Sequence, residues 1–215
     1  MICLADNDYL LKLAACDLLD ETISLLGIAT SNVFVLPTAK YKIAKDTGGR
    51  LRARYRNGID RALAFLDSVS EISVTPNADE QALLNEVKDP DTGQRLIHEG
   101  EQILLGTSGA FGEFLLATGD KNCLRALAAA RTCEEIYVRH ISRVICIEQT
   151  ILWLIEDQGF QYVLRKVVPA SRCDTALQAA FGSGLNAQQE DVIYTLTKYM
   201  EELSRMTEGL LKQYL

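Results

Sequence analysis

The sequence predicts an α/β fold with a mostly parallel sheet, followed by a helical extension. Three observations lead there. Short apolar runs alternate with stretches of helical periodicity over the first 150 residues. Beyond that point the strand-like runs stop and the pattern is helical throughout. The 215 residues, 48% hydrophobic and 24% charged, suit one compact domain plus an extension. The division is therefore 1–150 for the domain and 151–215 for the extension, which packs on the domain or forms an oligomer interface such as a homodimer.

The elements follow in order. Residues 2–5, ICLA, read as a short buried strand with Asp6 and Asp8 at its end. Leu10, Leu11, Ala14, Leu18, Thr22, Leu25 and Leu26 recur at helical spacing, and Gly27 stops them. VFVL at 33–36 is a second strand closed by Pro37. A short helix over 38–45 leads to the Asp-Thr-Gly-Gly turn at 46–49. Leu51, Tyr55, Ile59, Ala62 and Leu66 form the next stripe. EISVT at 71–75 reads as a strand, 79–87 as a helix, 89–93 as a turn, and a helix runs from about 94 through Leu105. FLLA at 114–117 is a clear strand with a helix directly after it, and 140–148 holds the last strand. In the extension, 151–155 and 160–168 are apolar segments. A long helix over 187–214 carries Ile193, Leu196, Tyr199, Met200, Leu203, Met206, Leu210 and Tyr214 on one stripe, suited to docking within the chain.

Composition removes several classes. No apolar run reaches the ~18 residues of a transmembrane helix, so no membrane is expected. The N-terminus lacks the basic flank and cleavage site of a signal peptide, and a cytoplasmic protein is expected. The six cysteines are scattered with no C-x-x-C pair, and His98 and His140 are the only histidines. That argues against zinc and for reduced core thiols. Net charge is −7, but residues 40–61 carry eight basic residues against Asp46 and Asp60, so this segment is +6 and the remainder −13. Such a patch either binds phosphates locally or is a solvated helix face.

In a parallel α/β sheet, functional groups collect at the carboxyl edge of the strands. Asp6 and Asp8 follow the first strand and Asp120 follows FLLA, so neighbouring strands would bring them together. Glu101, in HEGEQILL, sits on a helix that runs towards FLLA. Clustered carboxylates repel unless a cation is shared, and hard divalent cations prefer such oxygens. Each residue also has a plainer structural role available: Asp120, Asp6 or Asp8 as helix caps, Glu101 as a surface residue.

These residues resemble a PIN domain. ICLADNDYLL is similar to its opening, an apolar strand ending in Asp before an apolar helix. HEGEQILLGTSGAFGEFLLATGDKNCLRAL, at 98–127, is similar to its second half, with a Gly-Glu pair opening a helix, then a strand, then Thr-x-Asp. The resemblance covers residues 1–150. It implies a three-layer α/β/α fold and a Mg²⁺- or Mn²⁺-dependent ribonuclease, with Asp6, Glu101 and Asp120 as metal carboxylates and Thr118 as a polar neighbour. Asn122 stands where the family often has a fourth acidic residue, which weakens a second metal position. Asp8 lies close enough to Asp6 to replace it in part. Asn7 stands where a small hydroxyl residue is commoner.

The leading expectation is thus hydrolysis of RNA phosphodiesters, with Lys40, Lys42, Arg50, Arg52, Arg54 and Arg56 gripping the backbone. A toxin-type nuclease covered by a small antitoxin is one version of it. The alternative is a catalytically weak PIN-like module that binds RNA or a protein partner, favoured by Asn122 and the acidity. No Gly-rich phosphate loop follows a strand, and neither histidine sits in a catalytic motif.

Overall fold

The computed structural model describes residues 1–46 and 49–213. Thr47 and Gly48 of the expected 46–49 turn, and Tyr214 of the expected C-terminal stripe, lie outside the described residues. The protein is α/β. Strands β1 (Ile2–Ala5), β2 (Val33–Val35), β3 (Ser70–Glu71), β4 (Phe114–Ala117) and β5 (Val144–Ile145) form one sheet in the order β3-β2-β1-β4-β5. Every pairing between them is parallel. All four residues of β4 are buried, as are Cys3, Leu4 and Ala5 of β1. A strand buried on both faces reads as an unbroken apolar run rather than an alternation, which is why ICLA and FLLA are visible in the sequence.

The chain moves from β1 outwards to β2 and β3, then returns to place β4 on the opposite side of β1. The winding direction therefore reverses between β1 and β4. Crevices open at the carboxyl ends of strands at such a switch point.

The helices are α1 (Asn7–Ala15), α2 (Leu19–Leu26), α3 (Ala39–Ala44), α4 (Arg50–Tyr55), α5 (Gly58–Leu66), α6 (Ala78–Asn85), α7 (Glu99–Thr107), α8 (Lys121–Ala129), α9 (Glu134–His140), α10 (Ile147–Gln158), α11 (Phe160–Val167), α12 (Thr175–Ala180) and α13 (Gln189–Thr207). Several expectations need correction. The stripe over 10–26 is two helices, because Asp17 takes a left-handed φ of 55° and turns the chain. The stripe over 51–66 is also two helices, broken at Arg56 (φ 48°). Gly58 then lets α5 approach α1: a Cβ there would stand 2.6 Å from Ala15 backbone atoms. The 71–75 strand shrinks to Ser70–Glu71. The helix expected from 94 starts at Glu99, because 88–95 closes as a hairpin with Lys88 bridged to Arg95. Helix α9 has no counterpart in the periodicity reading.

The extension and the domain share a core. Helix α10 packs on α1 and α2, while α13 packs on α8, α10 and α12. The final helix ends at Thr207, short of the expected 214. Glu208 (φ 46°) and Gly209 (φ 101°) reverse the chain, and Leu211 bridges Val144 in parallel. The Val144 N–H donates to the Leu210 carbonyl at 3.0 Å and the Lys212 N–H to the Val144 carbonyl at 2.8 Å. This return segment covers an edge that β5 would otherwise leave unpaired. All six cysteines are buried free thiols. Among the described residues, no helix is long and apolar enough to cross a membrane.

Candidate functional site

A cleft of about 890 Å³ opens at the switch point, and Asp6, Glu101 and Asp120 all line it. Register explains the convergence. Ala5 pairs with Ala117, and the Asp6 N–H donates to the Ala117 carbonyl at 2.9 Å, so the residues leaving β1 and β4 stand side by side. Glu101 arrives from the first turn of α7. Thr118 is buried at the end of β4, and its hydroxyl accepts from the Asp120 N–H at 3.0 Å, setting the turn into α8.

The electrostatics of the three carboxylates are unfavourable as they stand. Asp6 is 7% exposed. Burial, then the charges of Glu101 and Asp8, push its carboxyl up to about 7, and the amides of Gly119 and Asp8 offset only part of this. Oδ2 of Asp6, Oε2 of Glu101 and Oδ1 of Asn7 are buried without a hydrogen-bond partner. Such orphaned acceptors are rare in protein interiors. The buried Cys123 thiol is pushed up by desolvation and, to a lesser degree, by the charges of Glu101, Asp120 and Asp6. Asp120 also caps α8: its Oδ1 accepts from the N–H groups of Asn122 (2.9 Å) and Cys123 (3.0 Å).

The other wall of the cleft is fully paired. Lys12, only 3% exposed, puts Nζ 2.6 Å from Oδ2 of Asp8 and 2.9 Å from Oδ2 of Asp174. Burial pulls the Lys12 ammonium down, but the two carboxylates outweigh it and raise it to about 12. Asp8 Oδ1 accepts from the Tyr55 hydroxyl at 2.5 Å and faces Arg54 Nη2 at 3.9 Å. Asp174 caps α12 through the Ala176 and Leu177 N–H groups. The extension thus supplies Asp174 and Thr175 to the cleft wall. Gly119 faces this network closely enough that a Cβ would collide with the Asp8 carboxylate and stand 2.9 Å from Lys12 Nζ.

The structure distributes the sequence-predicted residues unevenly. Asp8 and Asn122 line the cleft but are engaged: Asp8 as above, Asn122 through Oδ1 accepting from Arg125 Nη1 at 3.2 Å. Of the basic residues, Lys42 and Arg54 reach the cleft. Lys40 instead pairs with Asp67 and Arg52 with Asp60. Neither Arg50 nor Arg56 lines this cleft. Sequence reading missed Lys12, Asp174 and Glu148. The last is fully buried in the first turn of α10, ion-paired with Lys121, with Oε2 unpartnered. Its place three residues after β5, in the first turn of the next helix, mirrors that of Asp8 after β1, a signal that was available.

Among the described residues, no three His, Cys, Asp or Glu side chains stand close enough to form a complete metal-ligand group. The donor chemistry nevertheless suits a hard cation. In this cleft the oxygens that lack partners are carboxylate and amide oxygens, and the charge of Glu101 disfavours ionisation of Asp6. No family model, curated protein or solved structure matches this chain.

Proposed function

We propose that the chain is a PIN-like, three-layer α/β/α ribonuclease that uses Mg²⁺ or Mn²⁺ to hydrolyse RNA. The observation that carries this is the pair of buried, unpartnered oxygens on Asp6 and Glu101 at the β1/β4 switch point. Retaining two mutually repelling carboxylates in a crevice costs stability, and a shared cation relieves that cost. Asp6, Glu101 and Asp120 would hold the ion. A divalent cation there supplies Lewis-acid stabilisation of charge on a phosphodiester and hydroxide at neutral pH. Lys42 and Arg54, on the rim, hold phosphate oxygens of the substrate. Water adds to phosphorus and one P–O ester bond breaks, leaving a phosphate end and a hydroxyl end.

The Asn122 side chain favours one alternative, a PIN-like module that binds RNA or protein without cutting. It offers an amide where a carboxylate would strengthen the site, and its oxygen already accepts from Arg125. One experiment separates the two. Purified protein, Asp6→Asn and Asp120→Asn are incubated with a mixed single-stranded RNA pool and Mn²⁺. Cleavage that requires Mn²⁺ and disappears in both variants supports the nuclease. RNA retention without cleavage supports the module, and calorimetric silence towards Mn²⁺ counts against a metal site.

A further inference from the structure

A second cleft, of about 420 Å³, abuts the acidic one, and the two share Arg54 and Tyr55 as a common wall. Six cationic side chains line it (Arg54, Arg56, Arg61, Arg165, Lys166 and Arg172), and Asp17 is its one carboxylate. Two separate parts of the chain build it. Arg54, Arg56 and Arg61 come from the basic 40–61 segment, whereas Arg165, Lys166 and Arg172 come from the extension.

The charges differ in how far they are already used. Asp17 is bound from both sides, by Arg61 Nε at 3.0 Å and by Lys166 Nζ at 2.5 Å. Arg54 donates to the Cys173 carbonyl at 2.9 Å and faces Asp8. The side chains of Arg56, Arg165 and Arg172 are exposed and have no hydrogen bond or ion pair among the described residues. Three free guanidinium groups therefore surround one concavity on a chain whose net charge is −7. Like charges held together without counter-charges form a focused positive field, and guanidinium geometry matches phosphate oxygens. Arg56 is held at the break between α4 and α5 by a backbone conformation that non-glycine residues seldom adopt (φ 48°, ψ −123°).

We infer that this cleft binds the phosphate backbone of single-stranded RNA and guides the strand past Arg54 towards the acidic cleft. The choice of RNA over an acidic protein rests on the ribonuclease proposed above, and on the two clefts sharing a wall. On this account the extension is part of the substrate track as well as part of the core.

The test reads binding apart from cleavage. Affinity for a fluorescent oligouridylate of roughly a dozen nucleotides is measured by anisotropy, without divalent cations, across a salt series. The proteins are wild type, Arg56→Gln/Arg165→Gln/Arg172→Gln, and a control of equal net charge, Lys88→Gln/Lys198→Gln/Arg205→Gln. Loss of three phosphate contacts lowers the slope of log affinity against log salt by ~2, so the wild-type advantage over the cleft variant falls about 20-fold between 50 and 200 mM salt. The control should follow wild type. An unchanged slope in the cleft variant overturns the inference, as does an equal change in the control, which would assign the effect to overall charge. Oligoglutamate binding with the same dependence on the three arginines would reassign the cleft to an acidic protein. Mn²⁺-dependent cleavage, assayed separately, distinguishes the failures. Cleavage without a slope difference sinks the track and leaves the nuclease, while a slope difference without cleavage does the reverse.

Discussion

The two walls of the acidic cleft handle buried charge in opposite ways. On the Lys12 side, Asp8 and Asp174 share one ammonium and every polar atom around it has a partner. On the Asp6 side, the Asp6 and Glu101 carboxylates line one cleft and an oxygen of each is left without one. A folded protein can bury several charges at modest cost when they are paired, and this chain does so a few ångströms away. The unpaired wall is therefore not a consequence of crowded acids that the fold had no means to neutralise. On the reading proposed above, it is a site held ready for a cation, at the expense of stability.

Removing the shared cation breaks the comparison most severely. Lys12→Met leaves Asp8 and Asp174 buried without a counter-charge and should cost about 3–5 kcal/mol, read as a shift in the urea midpoint. If the paired wall is as indifferent to charge as an exposed surface, the shift will be under about 1 kcal/mol.

Asp6→Asn should act in the opposite direction. The folded-state carboxyl titrates at about 7 against an ordinary value of 3.8. The folded protein thus holds a proton that the unfolded chain releases from about pH 4 upwards. Stability attributable to Asp6 falls as pH rises through that window and is lowest above pH 7. In metal-free protein at pH 8, the Asn variant should be more stable than wild type by up to about 4 kcal/mol, while losing the heat of Mn²⁺ binding. A destabilised Asp6→Asn would show that the carboxylate is structural.

His140 supplies a contrasting pH limb, far from the cleft. Its ring is fully buried, with Nδ1 on the Ile136 carbonyl at 2.7 Å and its edge against Phe114. Burial, the largest influence, lowers it to about 4 from 6.5. The unfolded chain therefore takes up a proton first as pH falls, and stability is lost between about 6.5 and 4. Comparing wild type with His140→Leu, the difference in unfolding free energy should change by about 3 kcal/mol across that interval. A flat difference would mean that the ring reaches solvent.

The smallest expected effect is Asp120→Asn. The amide oxygen can still accept from the Asn122 and Cys123 N–H groups, so the cap survives and stability should change by less than about 0.5 kcal/mol. Mn²⁺ binding should nonetheless weaken. If the two fall together, Asp120 is a cap and nothing more. Asn77→Ala, at an ordinary cap on α6, calibrates this at about 1 kcal/mol with no effect on Mn²⁺.

Much of this architecture was legible in the chain. ICLA and FLLA announce buried parallel strands because a strand covered on both faces has no solvent side to keep polar. Acids placed just after neighbouring strands stand at one edge of the sheet, so Asp6 and Asp120, which line the same cleft, could be picked out without coordinates. What local pattern cannot convey is how a charge is compensated. Lys12 lies in an apolar helix where a lysine would be expected to face water, and it is buried between Asp8, one turn away, and Asp174, 162 positions later. The basic segment was visible as a cluster, yet its residues divide among local ion pairs, the rim of one cleft and the wall of another. Periodicity reports which face of an element is apolar, since that follows from neighbours a few residues apart. The second partner of Lys12 arrives only when a distant segment packs, and desolvation then makes such pairing, or the lack of it, count for several kcal/mol.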